Sequence, residues 1–546
     1  MKFLAFLILI SMTSCSTTEK VDLILHHGTI FTLDSNLNQA EALAIRNGKI
    51  IATGSNQEIL SSYESDSMHH LDGKFVYPGF YDAHAHFYGY GSNLLRRADL
   101  RETGSAEEVC NRLEDHRDAN PSYWIEGRGW DQNDWNNQAF PEKHILDRIF
   151  PDNPVYLIRI DGHAAWVNSK ALELAGITAD THVDGGEILL TDGEPNGILI
   201  DQAMDLVANH IPEPDQAFQR KALLLAQETC FQLGLTSVAD AGLKKYLILL
   251  IDSMQQAGDL KIRLYAMLES NSENMDYFLP NGPYCTDRLS VRSIKLFADG
   301  ALGSRGAKLL EPYSDEPNQT GLILHEPEFY KHYCQLALTH GYQVCTHAIG
   351  DSANRFVLEL YAQFLDPGND LRWRIEHAQI VHPKDFALFN TYKIIPSVQP
   401  THATSDMPWA ETRIGSERIR SAYAFQTLLQ ANQFIPLGTD FPIEEVNPLL
   451  TFYAAVARKD VQGNPPNGFQ KEEALSRLDA LKGMTIWAAK AAFEEDKKGS
   501  LEPNKWADLV VLDINLLSEP EAILPHGKVL RTYVQGELVF KEDVYQ

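Results

Sequence analysis

Cysteine is scarce in this chain: six residues in 546. Five of them, Cys110, Cys230, Cys285, Cys334 and Cys345, lie beyond the N-terminal segment at irregular spacing. An odd, irregular set gives no disulfide framework, and there is no CxxC zinc pattern. They read as small core residues. Positive charge is scarce too. Lys plus Arg number 47 against 74 Asp plus Glu, a net charge of −27. Such a surface repels phosphate backbones, so nucleic acid is not expected as a partner. Beyond the first residues, no apolar run is long and uncharged enough to span a bilayer. No fixed period recurs, which excludes a solenoid. What remains is a globular composition, 44% apolar and 22% charged. The length suits one large barrel with a satellite domain.

The N-terminus has a different character. Lys2 gives a short positive start, and "FLAFLILI" is an apolar stretch too short to span as a mature helix. "SMTSC" then places small residues before Cys15. Residues 1–14 resemble a bacterial lipoprotein signal, cleaved before a cysteine that becomes lipidated. The rival reading is plain secretion with an incidental cysteine. Residues 15–20 would be a tether. Ser16, with no Asp there, points to outer-membrane sorting if the host is Gram-negative. The expectation is an exported bacterial lipoprotein facing the periplasm or cell surface, touching the membrane only through its lipid.

Both ends of the remaining chain are strand-like. "VDLILHHGTIFTLD" and "ALAIRNGKIIATG" near the start match "KWADLVVLD" and "LRTYVQGELVFKE" near the end, with hairpin turns at "NGK" and "QGE". Neither end has enough apolar residues for its own core. Residues 21–76 and 497–546 are therefore expected to pair into one composite β-sandwich domain. Between them, residues 77–496 alternate apolar runs with amphipathic helices. The runs are "FVYPGFYDAHAHF", "LTSVAD", "KIRLYAML", "VRSIKLFADG", "YQVCTHAIG", "LRWRIEHAQI", "YKIIPSVQP" and "QFIPLGTD". Eight such units in an α/β chain predict a (β/α)8 TIM barrel. One segment, about 99–227, is far too long for a βα connection and reads as an inserted subdomain over the barrel mouth.

Polar residues gather at the C-terminal ends of these strands, where barrel active sites sit. They are His84 and His86 on the first, Lys295 on the fourth, His347 on the fifth, His377 on the sixth and Asp440 on the eighth. Residues i and i+2 of a strand share a face, so His84 and His86 can approach one ion together. Imidazole and carboxylate suit zinc and similar metals. A protonated lysine beside a cation is repelled, but a lysine carbamate is an anion that can bridge two metals. Asp82 shares the histidines' face, as a group beneath the metal or simply a polar residue at the barrel end.

Together, "GFYDAHAHF", "KLFADGALGSRGA", "CTHAIGD", "RIEHAQ", "QPTHATSD" and "PLGTDFPIEEVNPL" resemble the amidohydrolase superfamily. The amidohydrolase-3 branch, which includes N-substituted formamide deformylase, is the nearest in pattern, from about Val21 to the C-terminus. The resemblance implies a hydrolase acting on carbon–nitrogen bonds other than peptide bonds. It implies two zinc ions: His84 and His86 on the more buried, His347 and His377 on the more exposed, carbamylated Lys295 bridging, and Asp440 as ligand and general base. It also implies metal-activated hydroxide as nucleophile.

Substrate contacts are expected from Trp124, Trp130, Asp161 and His163 of the insertion, from Ser304 and Arg305 after the fourth strand, and from Gln399 and His402 after the seventh. The partner is a small molecule of unspecified identity. Two alternatives stay open: a one-metal deaminase on the same fold, and a surface lipoprotein that binds such a molecule without turnover.

Overall fold

The computed structural model describes residues 18–119, 122–212 and 214–542. The signal segment and Cys15 lie outside the described residues. Seven parallel strands form the central sheet: β1 (Phe80–Ala85), β2 (Leu235–Leu243), β3 (Arg263–Glu269), β4 (Leu289–Phe297), β5 (Gln343–Ala348), β6 (Arg374–His377) and β7 (Ile395–Ser397). A short antiparallel strand, Tyr284–Cys285, flanks β4.

The ring is closed by residues 436–440. Val398 N donates to Pro436 O (3.2 Å) and Gly438 N to Val398 O (3.0 Å) on one side. On the other, Ala83 N donates to Leu437 O (3.1 Å) and Asp440 N to His84 O (2.8 Å). The eighth member is therefore a hydrogen-bonded bridge rather than a regular strand. Pro436 has no N–H to donate, and Asp440 turns the chain at φ 62°.

The strands are buried on both faces because helices cover the outside. Val238, Leu264, Ile294 and Val344 pack against Ile248, Ile251 and Leu358 of the helices Lys245–Ala257 and Asp351–Tyr361. Each such side chain contributes about 1.5–3 kcal/mol by leaving water. The helix Pro327–His340 starts with a proline, whose missing N–H costs nothing there, and stops at Gly341 with φ 74°.

Strands from both chain ends build two further sheets. One is ordered Lys49–Gly54, Ala42–Arg46, Leu23–His26, Met68–His70. The other is ordered Glu537–Lys541, Val529–Val534, Leu509–Leu512, Phe75–Pro78, Thr29–Phe31, Gln39–Ala40. Leu25, Ile45, Val76, Leu509 and Tyr533 share one core between them. Both hairpin turns have two residues with positive φ, Asn47–Gly48 and Gln535–Gly536, which matches the right-handed strand twist. Gly79 is the joint between this domain and β1. A Cβ there would lie 2.3 Å from Thr236 Oγ1, so only glycine fits the crossing.

The insertion has its own six-stranded sheet, from Ala98–Asp99 to Glu194–Asp201. The helix Gln216–Gln232 that follows places Leu223, Ala226 and Cys230 in the barrel core. It belongs to the barrel, so the expected boundary near 227 falls inside a barrel helix.

Candidate metal centre

The residues at the strand ends converge. One ligand atom each from His84, His377 and Asp440 lies within 4.8 Å of the others, and all three residues are buried. His86 Nε2 is 3.2 Å from Asp440 Oδ1. Lys295 Nζ is 3.4 Å from His84 Nε2. The His347 ring lies 4.6 Å from the His377 ring. Thus the six residues expected as ligands form one connected group at the mouth.

Backbone turns help aim them. Strand alternation alone would send Glu376 and His377 to opposite sides. His377 has φ 74° and Ala378 φ 42°, which ends the ladder and lets His377 join the group. Asp440, with φ 62°, does the same at the closing segment. Left-handed conformations at non-glycine residues are costly and collect at functional sites.

Two of the imidazoles are held from behind. Glu376 Oε2 accepts from His84 Nδ1 at 2.6 Å, and Gln399 Oε1 accepts from His377 Nδ1 at 2.7 Å. Each bond fixes the tautomer and leaves the Nε2 lone pair free. Glu376 is itself held by Arg374, with Nε 2.7 Å from Oε1 and Nη2 3.0 Å from Oε2. Burial opposes ionisation of Glu376, but Arg374 and His84 outweigh it and keep the carboxylate charged.

Burial, with Lys295 nearby, lowers His84 to about 4. Burial likewise lowers His347 and His377. All three imidazoles are neutral donors near pH 7. Burial also lowers the Lys295 amine. No carboxylate among the described residues forms an ion pair with it.

Asp82 braces the backbone. It accepts from Thr439 Oγ1 (2.7 Å), Thr439 N (3.1 Å) and His84 N (3.1 Å), so it clamps the closing segment to β1. Asp299, at the end of β4, accepts from Ile349 N and Gly350 N and sits 3.5 Å from His347 Nε2.

A cavity of about 960 Å³ opens above this group. The insertion supplies one wall with Asp131, Arg159, Asp161 and His163. Arg159 is buried between Asp131 and Asp161. His163 Nδ1 is 2.7 Å from Asp201 Oδ1, and its ring is 6.5 Å from that of His347. Burial opposes protonation of His163, but Asp201 and Asp161 outweigh it and raise its pKa. The other wall holds His402, with Nε2 3.4 Å from Asp440 Oδ2 and Nδ1 2.9 Å from Glu444.

Comparison with known proteins now decides the family. The profile described as "Amidohydrolase family" matches residues 70–540. The chain belongs to the amidohydrolase family. It is similar to Protein LONG AFTER FAR-RED 3 of Arabidopsis thaliana, 36% identical over 95% of this chain and 91% of that one. It is also similar to N-substituted formamide deformylase of Arthrobacter pascens, 27% identical over 96% and 99%. Among solved structures, an uncharacterized metal-dependent hydrolase from Pyrococcus horikoshii superposes with a TM-score of 0.76 at 30% identity, over 91% of this chain and 99% of that one.

This amidohydrolase fits a metal. Asp440 Oδ1 and His347 Nε2 are buried and lack a hydrogen-bond partner. Orphaned buried acceptors of this kind are costly unless a cation or donor completes them. Three buried N/O donors within 4.8 Å are the donor set of zinc-like metals.

Five of the expected substrate contacts of the amidohydrolase lie outside the cavity lining. Trp124 packs with Tyr156 and Leu199 inside the insertion. Trp130 is fully buried with Trp135 and Trp166, its Nε1 donating to Leu157 O at 2.9 Å. Neither lines the cavity. Ser304 and Arg305 also stand outside the lining, where Ala301, Leu302 and Gly303 are found instead. Arg305 is held by Asp315 at 2.9 Å. Gln399 serves instead as the acceptor behind His377. Glu376, Arg374 and Asp299 were missed. The sequence held one signal: Glu376 directly precedes His377 in "RIEH".

Proposed function

We propose that this amidohydrolase hydrolyses a non-peptide, amide-type C–N bond of a small molecule, with two divalent metals, zinc by donor chemistry. The observation that carries the reading is the buried group of His84, His377 and Asp440 at the base of an accessible cavity. His84, His86 and Asp440 would hold the more buried metal, and His347 and His377 the more exposed one. Lys295 would bridge them as a carbamate. Its lowered pKa favours the neutral amine, whose nitrogen bonds to the carbon of carbon dioxide and releases a proton. When bound, the metals would activate water and polarise the scissile carbonyl.

The protein's own groups do the rest. Asp440 accepts the proton from the attacking water and returns it to the leaving nitrogen. His402, beside Asp440, orients that carboxylate. His163, held by Asp201, donates toward the carbonyl oxygen as charge grows there. The relative named N-substituted formamide deformylase makes N-substituted formamides the first substrates to assay.

The test is metal content after zinc supplementation, together with amide turnover. Two equivalents are expected at the barrel. Lys295→Ala should lower this to one, and Asp440→Asn should cut turnover about 10²–10⁴-fold. Absence of bound metal after supplementation overturns the reading. A one-metal deaminase is the second reading, favoured by the fact that among the described residues at the barrel mouth the tight group is His84, His377 and Asp440. A Lys295→Ala variant with unchanged metal content and turnover would select it.

A further inference from the structure

In a different sheet from the barrel strands, three more histidines meet. His26 ends the strand Leu23–His26, His27 follows it, and His70 ends the parallel neighbour Met68–His70. His26 and His70 are register partners, so their side chains leave the sheet on one face. One ring nitrogen of each of the three residues lies within 4.8 Å of the others. The ring centroids are 4.7–5.1 Å apart.

We propose that His26, His27 and His70 form a peripheral metal site that takes a borderline divalent cation such as Zn2+, Ni2+ or Cu2+. Three imidazoles are the nitrogen donors such ions prefer, and hard cations such as Mg2+ do not. His26 Nδ1 and His27 Nδ1 are only 2.6 Å apart. Two N–H groups do not fit at that distance, so at least one lone pair points into the gap. A cation takes both nitrogens once the proton between them has moved to the Nε2 of its own ring.

His70 is held in place by Asp72: its Nδ1 is 2.8 Å from Asp72 Oδ1 and 3.1 Å from Asp72 N, which turns Nε2 away from that residue. The backbone is set beforehand. His27 holds a left-handed φ of 58°, and its N–H donates to Asn56 Oδ1 at 2.8 Å. Gly73 N donates to His27 O and Leu71 N to His26 O. The loop is therefore pinned around the three rings without help from a ligand. His69 takes no part, since its Nδ1 meets Tyr533 Oη at 2.8 Å. Such an ion would clip the two parallel strands together. His27 and His70 are exposed, so the remaining coordination position is open to water.

The experiment is calorimetric titration of the zinc-loaded holoenzyme with Ni2+ and with Zn2+, paired with elemental analysis. One further equivalent is expected in the wild type. His26→Ala and His70→Ala should each lose it while barrel metal and turnover stay unchanged. Asp72→Asn should weaken it about 10–100-fold. Circular dichroism and retained turnover report that each variant is folded. If the wild type takes no further equivalent, or if both histidine variants keep it, the proposal falls and the cluster is a hydrogen-bonded histidine pair with a neighbour.

Discussion

Glu376 gives the sharpest test of how the barrel centre is held. The side chain is fully buried between His84 and Arg374. Glu376→Gln keeps its shape and removes its charge. The single amide oxygen can then face His84 Nδ1–H or Arg374, and the NH2 group meets whichever is left. Arg374 still has Ala83 O (2.6 Å) and Ser397 Oγ (2.8 Å) as acceptors, but its charge has lost its partner. Removing one half of a buried pair costs about 3–5 kcal/mol. Losing the acceptor behind a metal-ligating histidine costs about 10–100-fold in metal affinity. The double variant Arg374→Met, Glu376→Leu separates the two effects. It leaves no buried charge, so its urea midpoint, measured in chelator, should return near that of the wild type. Its zinc affinity should stay 10–100-fold weak, because His84 Nδ1 still lacks an acceptor. Recovery of affinity together with stability would refute the orienting role. A wild-type midpoint for Glu376→Gln alone would refute the electrostatic one.

Asp406 predicts a pH effect on stability. Burial, offset in part by His402 and by the Tyr423 hydroxyl at 2.8 Å, raises its pKa from 3.8 to about 7. Between these values the folded chain keeps a proton that the unfolded chain has lost. Stability therefore falls as pH rises through about 4 to 7, by up to about 4 kcal/mol. In metal-free protein, Asp406→Asn should raise the urea midpoint at pH 8 and leave it unchanged near pH 4; a gain independent of pH counts against the argument. Export as a lipoprotein predicts a mature chain that starts at a diacylated or triacylated Cys15 by mass spectrometry, and an unmodified N-terminus elsewhere contradicts it.

The barrel was legible because its signal is redundant. Most strands are apolar runs followed by helical patterns, and all eight runs fall on barrel members. The exception in form is 436–440. Its apolar character survives, but a proline and a left-handed aspartate replace the regular ladder. The insertion was legible as an interruption and not as a surface. Trp124 and Trp130 stand among polar residues in sequence, as platform residues do. Burial depends on which elements cover both faces of their sheet, and that is a long-range property. Arg305 illustrates the same limit: Asp315, ten residues on, engages the guanidinium expected to contact a substrate.

The metal centre divides along a different line. Its candidate ligands could be read because each lies at or near the C-terminal end of a barrel member, a position that strand counting locates. The groups behind them could not, because strand alternation breaks where the chemistry is. Counting by twos from Arg374 places Glu376 inside the barrel and His377 outside it. Both are needed inside, one to orient His84 and one to join it. The left-handed turn at His377 resolves the conflict, and Asp440 uses the same device where the ring closes. A regular β6 would therefore lose either the ligand or the acceptor behind its neighbour. The strain at these two residues is what allows the mouth of the barrel to present more inward-facing groups than its strands alone could supply.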